Sequence, residues 1–469
     1  MSGLFSSLAN GVKALNAQSA GLESAGRNLS NVNNASYARQ RVAFGDRGMV
    51  QTTLGAQSLG VEAMAITQVR DTLMDQQVVR ELSKTSELQT AQSGLENAQA
   101  GLGEKISGTA NVSAATSARS LSETLSAFFA GFQSVAASPT DVGERQTLVQ
   151  KANALVDQIN LTDSRLAQTQ GDLTTKAEAD IASVNDLLQS IATLNQQIGR
   201  AEINAPGTAV DLRDSRQAKL EELAGKISFE SRSIPGASGQ IELYSRDVNG
   251  AEVSLVHRAT VTGPLSLSGG SVMVGDLASG LALSGGSIKG ALETRDGVVH
   301  DLRDSLDRLS AQLVTSVNAA YNPTGTTGDF FVATGTAAST LAIASSVTAS
   351  TLKASDGGAA GDNTIATAVA NLANQVFSRT GGDQINGTFT QHYSTAVTNL
   401  GLALSGTNAQ LSDQDTIETL VRKQRDSISG VSLDEETADL IKYQRAFEAS
   451  SRVIKIIDEM LQTVVNLGA

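Results

Sequence analysis

The side chains best suited to chemistry are few and scattered. Three histidines, His257, His300 and His392, stand far apart, with no second histidine or carboxylate at metal-ligand spacing. His300 sits on a predicted helix beside Asp301, which reads as a charged helix face. The acidic pairs Glu221-Glu222 and Glu435-Glu436 are adjacent in sequence, so on a helix their side chains diverge by about 100°. That divergence suits solvated helix charge and not a general acid–base couple. Gly357-Gly358 between Asp356 and Asp362 lacks the liganding register of a calcium loop and reads as a turn. Neither a phosphate-cradling Gly-Lys-Ser/Thr loop nor a Gly-x-Ser-x-Gly elbow is present. Cysteine is absent, which removes disulfides, thiolate metal sites and a cysteine nucleophile together. These residues predict no enzyme, no metal and no cofactor.

Composition points the same way. The 469 residues allow two to four domains, with enough apolar residues (40%) for a sizeable core but only 3% aromatics. A net charge of −13 would repel nucleic-acid phosphates, so no nucleic-acid partner is expected. No apolar run is long enough to span a bilayer, and the first 26 residues lack a cleavable secretory signal. The sequence therefore predicts no membrane insertion, and either a cytoplasmic protein or export without a cleaved signal.

The elements that would position functional residues lie at the two chain ends. The prolines, at 139, 206, 235, 264 and 323, leave residues 1–138 and 324–469 free of the strongest helix breaker. Leu8, Leu15, Leu22 and Leu29 recur every seven residues, with Leu4, Gly11, Gln18 and Ala25 on the second seam position. Near the other end Leu433, Leu440, Phe447, Ile454 and Leu461 recur at seven, joined by Tyr443, Ile457 and Val464. Such stripes predict helices buried on one side against other helices. Ser432 followed by Glu435 is a capping box that starts the last helix after Gly430. Residues 1–50 hold five basic and two acidic residues, and residues 431–469 hold four and seven, so the ends are complementary in charge.

Between the ends, Ser138-Pro139 predicts an N-cap and first helical residue. A run of some 60 residues follows, with apolar positions from Leu148 through Leu155, Ile159, Leu166, Leu173, Ile181, Leu188 and Ile191 to Ile198. That length is rod-like. Leu88, Leu95 and Leu102 with Ala91 and Ala98 predict a helix able to pack closely on a neighbour. Val299, Leu302, Leu306, Leu309, Leu313 and Val317 predict another. Ile241–Ser245 and Val253–Val256 read as strands, punctuated by Gly269-Gly270 and Gly285-Gly286 turns. The fold class predicted is mainly α with an inserted β-rich domain, a long coiled-coil-like bundle built from both chain ends with discontinuous domains.

The motif stretches carry a resemblance. Leu29-Ser30-Asn31-Val32-Asn33-Asn34-Ala35-Ser36-Tyr37-Ala38-Arg39-Gln40 resembles the N-terminal signature of the rod, hook and hook-associated axial proteins of the bacterial flagellum. The segment from Gly430 through Glu435-Glu436 and Tyr443-Gln444-Arg445-Ala446-Phe447 to Ile454 resembles their C-terminal signature. Asp211-Leu212-Arg213-Asp214-Ser215-Arg216 with Leu220–Leu223, Gly290–Asp296, Val317–Ala319 and Gly328–Phe331 are similar to stations of the hook-associated protein 1 (FlgK) family. One departure stands out: Asn34-Ala35-Ser36 replaces the family's usual Thr-Pro-Gly, leaving Asn33-Asn34 to encourage the turn.

The resemblance implies a structural adaptor at the hook–filament junction that assembles through paired N- and C-terminal helices. It implies self-association in a tubular layer, a hook-protein neighbour, a second junction protein (FlgL) and an export chaperone on the C-terminal helix. It also implies an extracellular, flagellar location reached by type III export. The expected interface is Leu8, Leu15, Leu22, Leu29, Leu440, Tyr443, Phe447, Ile454, Ile457 and Leu461, with Ser432 and Glu435 as the helix cap. The expected division is an assembly helix and turn (1–45), a helical rod (46–226, 290–322 and 363–429), a β-rich outer part (227–289 and 323–362) and a terminal assembly helix (430–469). Another axial subunit (hook, rod or flagellin-like) or a coiled-coil surface adhesin are the alternatives. In the free chain the heptad ends are expected to lack partners and so to be mobile.

Overall fold

The computed structural model describes residues 2–46, 48–52, 55–58, 60–103, 120–325, 328–359 and 361–467. It is mainly helical with a small sheet portion. The order is α1 (Ser2–Ser30), β1 (Gln40–Asp46), β2 (Met49–Thr52), β3 (Gly55–Ser58), β4 (Val61–Gln68), α2 (Thr72–Leu102), α3 (Leu121–Ala137), α4 (Val142–Ala201) and α5 (Val210–Ala224). Strands β5 (Glu230–Ser233), β6 (Ile241–Arg246), β7 (Glu252–His257), β8 (Thr260–Val261), β9 (Leu265–Ser268) and β10 (Ser271–Val274) follow. Then come α6 (Ser287–Thr294), α7 (His300–Tyr321), α8 (Thr364–Asn371), α9 (Phe389–Ser429) and α10 (Leu433–Leu467). Two compact units form. The first takes Met1–Ser86, Asp180–Gly286 and Asp413–Ala469, and the second takes Glu87–Ala179 and Ser287–Ser412.

The second unit concentrates the scarce aromatics. Phe128 meets Phe132 edge-on at 5.3 Å, and Phe330 at 5.8 Å; Tyr321 meets Phe330 at 5.3 Å. Asn318 fixes the Phe330-Phe331 pair to α7, accepting both backbone N–H groups and donating to the Phe331 carbonyl at 2.9 Å. Two of the quoted sequence stations are thus one packing contact. Gly290 is a third: a Cβ there would lie 2.3 Å from the Glu87 carbonyl, so only glycine lets α6 touch α2.

Two local expectations change. Ser138 closes α3, its N–H bonding to the Ser134 carbonyl, and Asp141 caps α4 by accepting from Gly143 N–H at 2.7 Å. The carboxylate three residues on out-competes the Ser-Pro signal because it reaches the orphan donors directly. The stretch 323–362, expected to be β-rich, holds among its described residues an isolated bridge at Phe331 and Ile343 and a short 3₁₀ turn. Its hydroxyls bond locally instead, as where Thr351 donates to the Ser346 carbonyl, and such bonds compete with a strand ladder.

In the first unit, β5, β6, β7 and β8 form one antiparallel sheet in that order, with β9–β10 as a separate hairpin. Side chains of α4 hold both. Asn195 donates to the carbonyls of Ile241 and Arg258, and Asn185 exchanges two bonds with Leu265. At the end of α4, Glu202 is buried and accepts two 2.7 Å bonds from Arg213, besides one from the Ala209 N–H. Burial alone would raise its pKa; the Arg213 guanidinium and the backbone donors prevail and hold it below the usual carboxylate range. A depressed acid stabilises the fold above its unfolded pKa and loses that contribution as pH falls through the folded value. Replacing Glu202 by Gln should therefore cost about 2 kcal/mol at neutral pH and much less at an acid pH below its folded pKa. Urea unfolding at both pH values measures this; an equal penalty at the two would contradict it.

Candidate assembly site at the chain ends

The first and last helices pack on each other within one chain. A Cβ on Gly11 would sit 2.9 Å from Ile454, and one on Gly21 would sit 2.8 Å from the Tyr443 ring. Asn28 donates to Glu436 at 2.9 Å. Residue numbers rise on α1 as they fall on α10, so the pair is antiparallel. The expectation that these ends lack partners in the free chain is corrected: each helix is the other's partner.

The buried line on α1 also differs from the heptad leucines. Ala17, Gly21, Ser24, Ala25 and Asn28 are buried, at spacings of three and four, whereas Leu8, Leu15, Leu22 and Leu29 are half-buried. Small residues bring the backbones together, and the leucines flank the contact. On α10, Ile457 is buried, while Leu440, Tyr443, Phe447, Ile454 and Leu461 are half-buried. Ser432 stands just before the first turn, its carbonyl accepting from Glu436 N–H at 3.0 Å, and the Glu435 carboxylate is engaged by Arg39.

Beside Ile457 runs a second apolar line. Val453, Ile456, Met460 and Val464 fall within an arc of about 80° at 100° per residue. They are 38–54% exposed. The antiparallel pairing brings the exposed Phe5 and Val12 of α1 to the same end. Here α10 carries an exposed apolar line beside its contact with α1.

The opposite end of the pair is polar. Asn28 donates to the Gln40 carbonyl and to Glu436, and its carbonyl accepts from Tyr37 Oη and Gln40 N–H, all at 2.9 Å. Those four bonds use its whole capacity. Arg39 is clasped by Glu435, Glu436 and Asp439, and its N–H bonds to the Ser429 carbonyl. The turn between α1 and β1 is gripped from outside. Arg425 of α9 donates to the Ala35 carbonyl, Arg70 to the Ser36 carbonyl, and Asp214 accepts from Ala38 N–H. Asn34 supplies the turn itself, accepting from Ser36 N–H through its side chain and from Tyr37 N–H through its carbonyl. Burial pushes the Asp214 and Asp75 carboxyls up, against the pull of Arg70 between them.

The Asp211–Arg216 stretch thus has a structural role that sequence reasoning left unassigned, since Asp211 also meets Gln40 and Arg27. The histidines are dispersed: His257 meets Glu242 at 3.3 Å, His300 lies 3.9 Å from Asp301, and His392 bonds to Ser305. Among the described residues no group of three potential metal ligands comes together, and no helix is long and apolar enough to cross a membrane.

Residues 106–331 match the family model described as the flagellar hook-associated protein FlgK helical domain, and residues 422–467 the flagellar basal body rod FlgEFG C-terminal model. Flagellar hook-associated protein 1 of Bacillus subtilis is 26% identical over 99% of both chains. That of Escherichia coli is 23% identical over 98% of this chain and 99% of its own. A solved structure of the flagellar hook junction protein FlgK from Burkholderia pseudomallei aligns at a TM-score of 0.43, with 18% identity over 52% of this chain and 43% of that one.

Proposed function

The chain belongs to the flagellar hook-associated protein 1 family, and from that premise we infer how it acts. It is a structural subunit of the bacterial flagellum at the hook–filament junction. The observation that carries the mechanism is the exposed apolar line Val453, Ile456, Met460 and Val464 on α10. A helix pair with an uncovered apolar stripe gains from burying it against neighbours in an assembly. We propose that Phe5, Val12, Val453, Ile456, Met460 and Val464 lead this contact. The half-buried Leu8, Leu15, Leu22, Leu29, Leu440, Phe447 and Leu461 complete their burial in it. Tyr443, Ile454 and Ile457 serve the pairing inside each chain.

On this reading the subunit associates with copies of itself, with the hook protein below and with a second junction protein of the FlgL kind above. An export chaperone covers the α10 stripe beforehand, and delivery to the outside runs through the flagellar type III channel without a cleaved signal. Residues 1–45 and 430–469 form the assembly segment. Residues 46–226, 290–322 and 363–429 are the rod, and the strands within 227–289 its outward-facing part. The subunit holds the joint and catalyses nothing. Immunogold labelling of isolated flagella with an antibody to this chain should mark the hook–filament boundary alone. Label spread along the filament or over the hook would replace the junction reading with another axial position.

A further inference from the structure

Arg216 of α5 is a buried cation without an acidic partner among the described residues. It is 7% exposed, and its Nη1 donates to the Asn195 side-chain carbonyl at 2.8 Å and the Gly239 carbonyl at 2.9 Å. Burial first, and the charge of Arg213 next, push its pKa down to about 9, with Glu202 opposing. An isolated buried charge is costly, and neutral carbonyls offset only part of that cost.

Arg216 also lines a cleft of about 80 Å³ between α2, α5 and β5, whose wall includes Arg70, Arg213 and Arg232. Those three are already occupied: Arg70 by Asp75 and Asp214, Arg213 by Glu202, and Arg232 by Glu242 and Glu252. Asp75 is the carboxylate on the wall, and Arg70 holds it. At roughly 30 Å³ per water the cleft has room for two or three waters, or for one small oxyanion. A nucleotide would not fit. A guanidinium presents parallel donors that match a carboxylate or phosphate edge.

We propose that this cleft is an oxyanion site in which Arg216 is the recognition fork. The ligand is either a carboxylate projecting from a neighbouring protein or a phosphate group. Thermal unfolding of the full chain, with chloride replaced at constant ionic strength by about 100 mM inorganic phosphate or sodium acetate, tests it. At least one of the two anions should raise the wild-type midpoint by about 3 °C over chloride. Arg216→Gln should abolish that rise, and Arg216→Lys, which keeps the cation but not the fork, should keep less than half. The lysine variant carries the test if the glutamine variant does not fold. A response to phosphate alone assigns the site to phosphate, and a response to acetate assigns it to a carboxylate. No anion-specific rise in the wild type, or a full rise in the Arg216 variants, would overturn the site.

Discussion

Replacing Ile456 and Met460 by aspartate should leave the isolated chain folded and abolish filament growth. Both side chains are largely exposed, at 54% and 44%. Each exchange should therefore change monomer stability by no more than about 0.5 kcal/mol. In an assembly that buries the α10 face, the same two carboxylates lose their water without gaining partners. That costs several kcal/mol per contact, and every 1.4 kcal/mol is about tenfold in affinity. The variant strain should resemble a strain lacking the chain: hooks without stable filaments, flagellin released into the medium, and no swimming. Ile457→Asp is the contrasting control, because Ile457 is only 6% exposed and its replacement should unfold the helix pair itself. Normal filaments on the Ile456/Met460 variant would mean that this face touches nothing in the flagellum.

What the sequence made legible here was the periodic apolar residue. The 60-residue α4 and the strands β6 and β7 stand where the pattern put them, because leucine and valine periodicity is a strong signal for burial. The contact between the chain ends was hidden for the converse reason. Its centre is Ala17, Gly21, Ser24 and Asn28, residues that add almost nothing to a hydrophobic pattern and matter by being small or by bonding. The leucine heptads drew attention to the flanks of that contact. Arg70, Arg425 and Asp214 were equally silent, since nothing in a single chain says that side chains some 35 to 390 positions away will close on Ala35, Ser36 and Ala38. The same limit applies to Arg216, whose missing counter-charge becomes visible only when its neighbours are known.

The small-residue seam yields the sharpest test of the pairing. Leucine at position 21 would strengthen an isolated α1, because leucine favours helix over glycine by nearly 1 kcal/mol. Against that small gain stands a steric cost. The first added carbon would already lie 2.8 Å from two carbons of the Tyr443 ring, before the rest of the side chain is placed. The ring cannot swing away freely, since Phe44 lies against it at 6.1 Å. Overpacking of this kind costs about 1–3 kcal/mol where some relaxation is possible, which outweighs the helix gain. Gly21→Leu should therefore separate α1 from α10. Hydrogen exchange in both helices should speed up by as much as about thirtyfold, on a net loss of up to about 2 kcal/mol of protection. Exchange in α4 and in the β5–β8 sheet should stay as it was. Truncating the opposing ring in the double variant Gly21→Leu/Tyr443→Ala removes the clash and should recover part of the protection. Non-additivity of that sign is what direct contact requires. Wild-type protection in the Gly21→Leu single variant would place the two helices farther apart than this structure does.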